Sequence, residues 1–380
     1  MEMTKGLLAH LDTRLSELRQ QKERGTKIVG YTPTAYMPEE LVYASGALPI
    51  ALDRGGDIEP VLASTSYLGR VLDTFCRAQI GYRVMHQEPL YQIPDLVIVP
   101  VTDLHVRGLA DSWDFFAGLE VFRLGVPHSK AGHAFQHYLA GLNLLKERLE
   151  KLTGLEITEK RLREEIALSN SLRGLLREIS LMRKSENPPI SGKEFIRLSH
   201  DSLHADRHVM IKALKSLRDE LQVNKTIRPK GARILLTGST LAWGDDKVVD
   251  LLETAGASIV VEEFCEGLRT YWEDVNADDD PMKALADSYL MKRVPCAFFR
   301  GSPEERFDFL LRLVKDFNVD GVVWYSLMYR ETYGIESHIF HKVLEKTNMP
   351  MLIVNSEYSP AETGHLRTRI ETFIQTIERG

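Results

Sequence analysis

The sequence predicts an α/β protein: two parallel-sheet domains, residues 1–132 and 231–380, separated by a helical segment at 133–230. Three observations carry that prediction. Short apolar runs alternate with helical patterns in the first third and again after residue 231. These runs are continuously apolar rather than alternating, as strands buried on both faces are. Between them, from about His133 to Val223, long charged stretches repeat apolar residues at helical spacing.

The elements follow in chain order. Residues 1–25 carry a charged, amphipathic helical pattern. The runs "KIVGY" near Ile28, "LPIAL" near Leu48, "DLVIV" at 95–99 and "LEVFRL" near Val121 read as buried strands. Helical segments lie between them, so right-handed βαβ units are the economical connection. Pro38-Glu39-Glu40 opens one helix, since proline suits the first turn and acids favour its positive end. "AFQHYLAGLNLLKERLEKLTG" is helical and stops at Gly154. The next helix begins at Thr158, with Glu159 in its first turn but Arg161 where a capping box wants an acid, so the cap is only partly formed. Pro188-Pro189 ends that helix, and "SGKEFIRLSHDSLHADRHVMIKALKSLRDEL" reads as one more. After "TIRPKG" the α/β pattern returns. "ARILLTG", "SIVVEEF", "CAFF" (296–299), "DGVVWYSLM" and "PMLIVNSEY" are strand candidates, and "DDKVVDLLETAGA" and "RFDFLLRLVKDFNV" are helices between them. The halves look alike, but no sequence repeat proves duplication.

Composition narrows the function. Apolar residues make up 43% and charged residues 27% of the 380, the mixture of a globular protein with a large core. A net charge of -6 argues against a nucleic-acid partner, which needs a basic face. No apolar stretch is long enough to span a bilayer, and the N-terminal helix lacks a signal-peptide core, so no membrane role and a cytoplasmic location are expected. Cys76, Cys265 and Cys296 are far apart in sequence and odd in number, which speaks against a disulfide framework.

In open parallel sheets, ligands lie beyond the carboxyl ends of the strands. Four loops qualify: "TPTAYMPEE", "PVTDLHVRG", "YRETYGIES" and "TGSTLAWGDD". In the last, Ser239 and Thr240 are substrate-binding candidates, and its backbone N–H groups can hold an anion before a helix. Neither GxxxxGK[ST] nor GxGxxG occurs, so ATP or NAD bound through those loops is not expected. Thr34, after the first strand, offers a hydroxyl to a substrate. Tyr325 and Tyr329, with Tyr333, Trp324 and Tyr358, sit at strand ends where aromatic rings line apolar pockets or simply pack. His200, His204 and His208 fall at i, i+4 and i+8; an i, i+4 pair can grip a metal, but the third lies about 12 Å from the first. A solvated or interface face is the plainer reading. His133 and His137 form a second such pair, with His128 outside it. Arg367 and Arg369 offer either a helix face or a phosphate contact.

These loops also carry a family resemblance. "IVGYTPTAYMPEELVYASGALPIAL", "FCRAQIGY", "ARILLTGSTLAWGDDKVVDLLETAGASIVVEEFCEGLRTYW", "VDGVVWYSLMYRETYGIES" and "NSEYSPAETGHLRTRIETFIQTI" resemble, in order, segments of benzoyl-CoA reductase and (R)-2-hydroxyacyl-CoA dehydratase subunits. The resemblance, which extends to double-cubane cluster proteins, implies two flavodoxin-like (Rossmann-like) domains with a cluster in the cleft between them. It implies three cysteines per subunit holding a [4Fe-4S] cluster or half of a double-cubane cluster. It implies paired subunits, an ATP-hydrolysing activator protein and an acyl-CoA substrate.

Cys76 stands at the first expected ligand position. Thr102 stands at the second and Arg330, before Glu331, at the third; Cys265 and Cys296 match none. Iron in such clusters wants thiolates, a hydroxyl is a poor substitute, and a guanidinium cannot ligate iron. The expected cluster is therefore incomplete in this chain or held by a paralogous, cluster-bearing subunit. Cys76 is left as a lone metal candidate or a buried apolar side chain. Arg330 is left to hold a phosphate or thioester oxygen, or to pair with Glu331 or Asp103. Thr34, Arg330 and Glu331 are the catalytic candidates. "RGGDIEPVLASTSYLGRVLDTFC" leans to the reductase branch. The alternatives are a dehydratase subunit, a non-catalytic scaffold or assembly partner, and a homodimer binding another ligand.

Overall fold

Two four-stranded sheets, all of whose pairings are parallel, organise the chain. They are seen in a computed structural model that describes residues 2–67, 69–70, 72–223, 231–299 and 303–379. Residues 226–230 of "TIRPKG", after which the second α/β pattern was expected, lie outside the described residues. The first sheet holds β1 (Ile28–Tyr31), β2 (Leu48–Ala51), β3 (Leu96–Val101) and β4 (Val121–Gly125). The second holds β5 (Arg233–Gly238), β6 (Ser258–Glu263), β7 (Gly321–Leu327) and β8 (Met351–Ser356). Spatial order is β2-β1-β3-β4 in one and β6-β5-β7-β8 in the other. The two orders are the same pattern, that of a doubly wound flavodoxin-like sheet, so each half has a switch point between its first and third strands.

Burial explains the unbroken apolar runs. β1 and all seven residues of β7 are buried, because helices cover both faces of a central parallel strand. The helices are α1 (Glu2–Glu23), α2 (Glu39–Ala44), α3 (Ile58–Ala63), α4 (Thr74–Met85), α5 (Leu104–Phe116), α6 (Gly132–Thr153), α7 (Glu159–Met182), α8 (Gly192–His204) and α9 (Arg207–Val223). In the second half come α10 (Lys247–Thr254), α11 (Leu268–Tyr271), α12 (Pro281–Ala286), α13 (Pro303–Asp316), α14 (Glu331–Glu345) and α15 (Thr363–Arg379). α7 packs on α9 and α2, and α9 on α1, so the helical run is tied to the first sheet. Thr158 does cap α7, accepting the Arg161 N–H at 3.3 Å, while the complete capping box is Ser191 with Glu194 at the start of α8.

Two expectations need correction. "CAFF" at 296–299 is a turn, not a strand. It is apolar because Cys296 and Phe299 are buried between the halves, Phe299 stacking on Tyr36 with ring centroids 5.5 Å apart. The helix read after Pro189 is two helices. Ala205 is extended, and the Asp206 carboxylate accepts the N–H groups of His208 and Val209, starting a new helix. Asp206 was the legible signal for that break.

The two halves meet at a tight seam after β2. The Gly55 N–H donates to the Trp243 carbonyl at 2.8 Å, and the Trp243 N–H donates to the Asp53 carbonyl at 3.0 Å. Gly56 adopts φ +88°, and a Cβ there would sit 2.3 Å from the Gly244 carbonyl oxygen. Gly154, the stop of α6, also has positive φ but faces open space. Gly56→Ala should therefore destabilise by about 2 kcal/mol or more, and Gly154→Ala by only about 1 kcal/mol, in urea unfolding of the two variants.

Candidate functional site

The carboxyl ends of both sheets face one small cavity. Thr32 and Thr34 follow β1, Thr102 follows β3, Ser239 and Thr240 follow β5, Cys265 and Glu266 follow β6, and Arg330 follows β7; all line it. This is where the switch points of both sheets place a ligand. Tyr36, Cys296, Phe298 and Tyr333 complete the walls. The volume is about 30 Å³, room for a water or a carbonyl-sized group.

Arg330 dominates one wall. It is 8% exposed, and its Nη1 donates to Asp103 Oδ2 at 2.9 Å. Its Nε lies 3.6 Å from Asp73 Oδ2. Burial alone would weaken its hold on the proton, yet Asp73 and Asp103 outweigh burial and raise its pKa. Burial raises and Arg330 lowers the Asp103 carboxyl, which ends below its ordinary value. Both aspartates also serve the backbone. Asp103 caps α5 through the N–H groups of His105 and Val106, and Asp73 caps α4 through the Cys76 N–H at 2.9 Å. The Asp73 N–H donates to His105 Nδ1 at 3.0 Å, which leaves the ring proton on Nε2, 3.3 Å from Glu331. Glu331 thus pairs with His105 rather than with Arg330.

The donor set does not fit an iron–sulfur cubane. Thr102 spends its hydroxyl on Asp103 at 2.9 Å. Arg330 is a paired cation. Cys76 is fully buried, and burial first, then Asp73, pushes its thiol pKa well up, away from the thiolate a metal needs. Among the described residues no group of three His, Cys, Asp or Glu side chains is arranged to hold a metal ion.

The opposite wall is built on a buried ion network. Glu263 accepts from Arg269 Nε, from Arg306 Nη2 at 2.9 Å and from the Thr237 hydroxyl at 2.7 Å. Burial would raise this carboxyl, but Arg269 and Arg306 bring it down to about 2. Arg269, so fixed, donates from Nη1 to Cys265 Sγ at 3.3 Å. Burial still pushes the Cys265 thiol up to about 11. Next to it, burial pushes Glu266 up to about 8, so this carboxyl is mostly protonated at neutral pH, with Oε2 unpartnered.

The sequence candidates divide accordingly. Thr34, Arg330, Ser239, Thr240 and Tyr333 reach the cavity, although Ser239 also accepts the Leu327 N–H at 3.1 Å. Tyr325 does not line it: the ring is in the core and its hydroxyl donates to Asp245. Tyr329 is 39% exposed at φ +69°, turning the chain into Arg330. The loop 237–246 is no open anion cradle, because the N–H groups of Ser239, Trp243 and Asp245 donate to backbone carbonyls. His200 and His204 are buried rather than solvated, His204 meeting Asp53 at 2.9 Å, while His208 belongs to α9 and is exposed. His133 and His137 are exposed. Arg369 donates to the Ile353 carbonyl at 2.6 Å. Sequence reasoning missed Asp73, His105, Cys265, Glu266 and Arg269. For Asp73 a signal existed, an acid just before the helix that carries Cys76.

Comparison with known proteins fits this geometry. The family model for the 2-hydroxyglutaryl-CoA dehydratase D-component matches residues 34–377. The chain belongs to that family. YjiM of Escherichia coli (strain K12), named as a candidate dehydratase subunit, is 29% identical over 94% of this chain and 93% of its own length. A benzoyl-CoA reductase subunit of Thauera aromatica is 22% identical over 97% of this chain and 95% of its own. The (R)-phenyllactyl-CoA dehydratase beta subunit of Clostridium sporogenes is 20% identical over 95% and 94%. The match to this D-component family bears out the resemblance read from the loops. No helix among the described residues is long and apolar enough to cross a membrane.

Two outcomes follow. Arg330→Met strands two buried carboxylates and should cost about 3–5 kcal/mol in chemical denaturation, whereas a merely solvated arginine would cost under about 1 kcal/mol. Glu263 has a folded pKa near 2, below its ordinary 4.5, so its charge stabilises the fold above about pH 4.5 and ceases to as pH falls toward 2. The stability gap between wild type and Glu263→Gln should be about 3 kcal/mol at pH 7 and should close between pH 4.5 and 2.

Proposed function

We propose that the chain is one subunit of an ATP-activated iron–sulfur radical enzyme acting on acyl-CoA thioesters, paired with a paralogous subunit that bears the cluster. The observation that carries this is the joint cavity: family membership spans residues 34–377, yet Arg330, where the resemblance implies a ligand cysteine, is paired with two aspartates. The relatives' names, acyl-CoA dehydratase subunits and a benzoyl-CoA reductase subunit, give the substrate class. Within the family, this reading leans to the benzoyl-CoA reductase type, with 2-hydroxyacyl-CoA dehydratase as the alternative.

In this reading the chain's own residues position the thioester and exclude water. Thr34, Ser239 and Thr240 present hydroxyls at the cavity, and neutral Glu266 can donate to a carbonyl oxygen that a carboxylate would repel. The Arg330 charge, shared with Asp73 and Asp103, keeps the cleft polar without acting as a free cation. Leu104, 75% exposed, and Tyr329, next in sequence to Asp103 and Arg330, suit a face buried by a partner in the assembly. An activator protein that hydrolyses ATP would dock on the assembled pair.

A second reading is a non-catalytic scaffold of the same assembly, favoured by the satisfied Arg330–Asp103 pair. Anaerobic co-purification with a three-cysteine paralogue and an activator, followed by assay with benzoyl-CoA and 2-hydroxyglutaryl-CoA, separates the two. The enzyme reading predicts that turnover is lost when this chain is omitted and falls at least about tenfold with Glu266→Ala, through a higher KM or lower kcat. Turnover unaffected by Glu266→Ala but lost on omission supports the scaffold, and turnover without the chain removes it from the reaction.

A further inference from the structure

Beside the first cavity lies a second one of about 50 Å³, lined by Thr34, Arg173, Ser202, Thr270, Tyr289 and Arg293, among others. Thr34 lines both. We propose that this second cavity binds a small carboxylate through the Arg293 guanidinium.

The argument begins with charge. Several other buried guanidiniums meet carboxylates: Arg173 meets Glu40, Arg183 meets Glu262, Arg269 meets Glu263, Arg306 meets Glu336 and Arg330 meets Asp103, whereas Arg77, which lines neither cavity, donates to the Val61 carbonyl. Arg293 is as buried, at 3% exposure, yet no carboxylate among the described residues comes within ion-pair distance of it. Its one side-chain hydrogen bond among the described residues runs from Nη1 to the Ala35 carbonyl, and its Nε has no partner there. Its guanidinium lies over the Tyr289 ring, 3.6 Å from the centroid, which orients the fork without neutralising it. A buried, unpaired charge is costly, and a forked donor set matches a carboxylate. Burial, the largest influence on it, lowers the Arg293 pKa, as an uncompensated cation requires.

Glu39 also lines this cavity. Its carboxylate accepts the Tyr31 hydroxyl and forms no ion pair with Arg293, so the Arg293 charge is left unmatched. A cavity of about 50 Å³ suits a carboxylate group and excludes a bulky phosphate ester. The carboxylate has two sources, a free small acid or the far end of a longer acyl chain whose near end reaches Thr34.

The test uses the full chain without CoA, so its failure is separable from failure of the acyl-CoA reading. Acetate, glutarate and inorganic phosphate are titrated by calorimetry and thermal unfolding at matched chloride. Wild type should bind acetate or glutarate in preference to phosphate. Arg293→Met should lose at least about tenfold in affinity and, without ligand, be no less stable than wild type, because it removes an unpaired charge. Arg293→Lys, which keeps the charge and loses the fork, should bind more weakly than wild type and serves if the methionine variant fails to fold. Acetate binding alone indicates a free acid; tighter glutarate binding indicates a chain carrying a terminal carboxylate. No carboxylate stabilisation beyond chloride, or equal binding by wild type and both variants, overturns the proposal.

Discussion

Arg330 reaches from the end of one sheet to Asp103 and Asp73 at the end of the other half, and the cleft is organised around that triad. Each member needs the rest. Without the aspartates the guanidinium would be an unpaired buried cation, and without the guanidinium the aspartates would repel each other. The aspartates are already committed as caps of α4 and α5, so the triad locks two helices to the second half. A thiolate at position 330 would bring a further negative charge to these carboxylates unless a metal drew it away. The residues at 73, 103 and 330 therefore form one electrostatic unit.

A second unit, Glu263 with Arg269 and Arg306, repeats the device with opposite sign. There a single carboxylate holds two guanidiniums, and one of them turns Nη1 toward Cys265. Between the two units lies a pocket of hydroxyls, thiols kept protonated by burial and one protonated carboxyl, Glu266. Such a lining offers hydrogen-bond donors without free charge, which suits a neutral carbonyl group more than a phosphate.

Much of the fold was legible in the sequence because parallel strands buried on both faces leave unbroken apolar runs. All eight strands were found that way, and the loops at their carboxyl ends stood out as the ligand-facing ones. "CAFF" shows the limit of that signal, since residues walling a cavity are as apolar as a strand. The break at Asp206 was missed because apolar spacing ran on through it while a capping acid interrupted the backbone. In the site, Thr102 and Arg330 were singled out because the resemblance implied cysteines there, and both line the cavity. Asp103 was named as a partner of Arg330, but Asp73 and His105 were not, because they are joined to Arg330 only by folding and lie far from it along the chain. Tyr325 was misplaced for the opposite reason, as an aromatic ring near a strand end gives no sign of which side of the sheet it faces.

The account rests on Arg330, paired with its aspartates, at a position where the family resemblance implies a cluster-ligating cysteine. Iron and acid-labile sulfide per chain, measured on the isolated protein after anaerobic purification and reconstitution, test that most directly. The structure predicts iron and sulfide far below one cluster per chain, with Cys76 resistant to thiol reagents until the protein unfolds. A stoichiometric four-iron cluster on the isolated chain would contradict it.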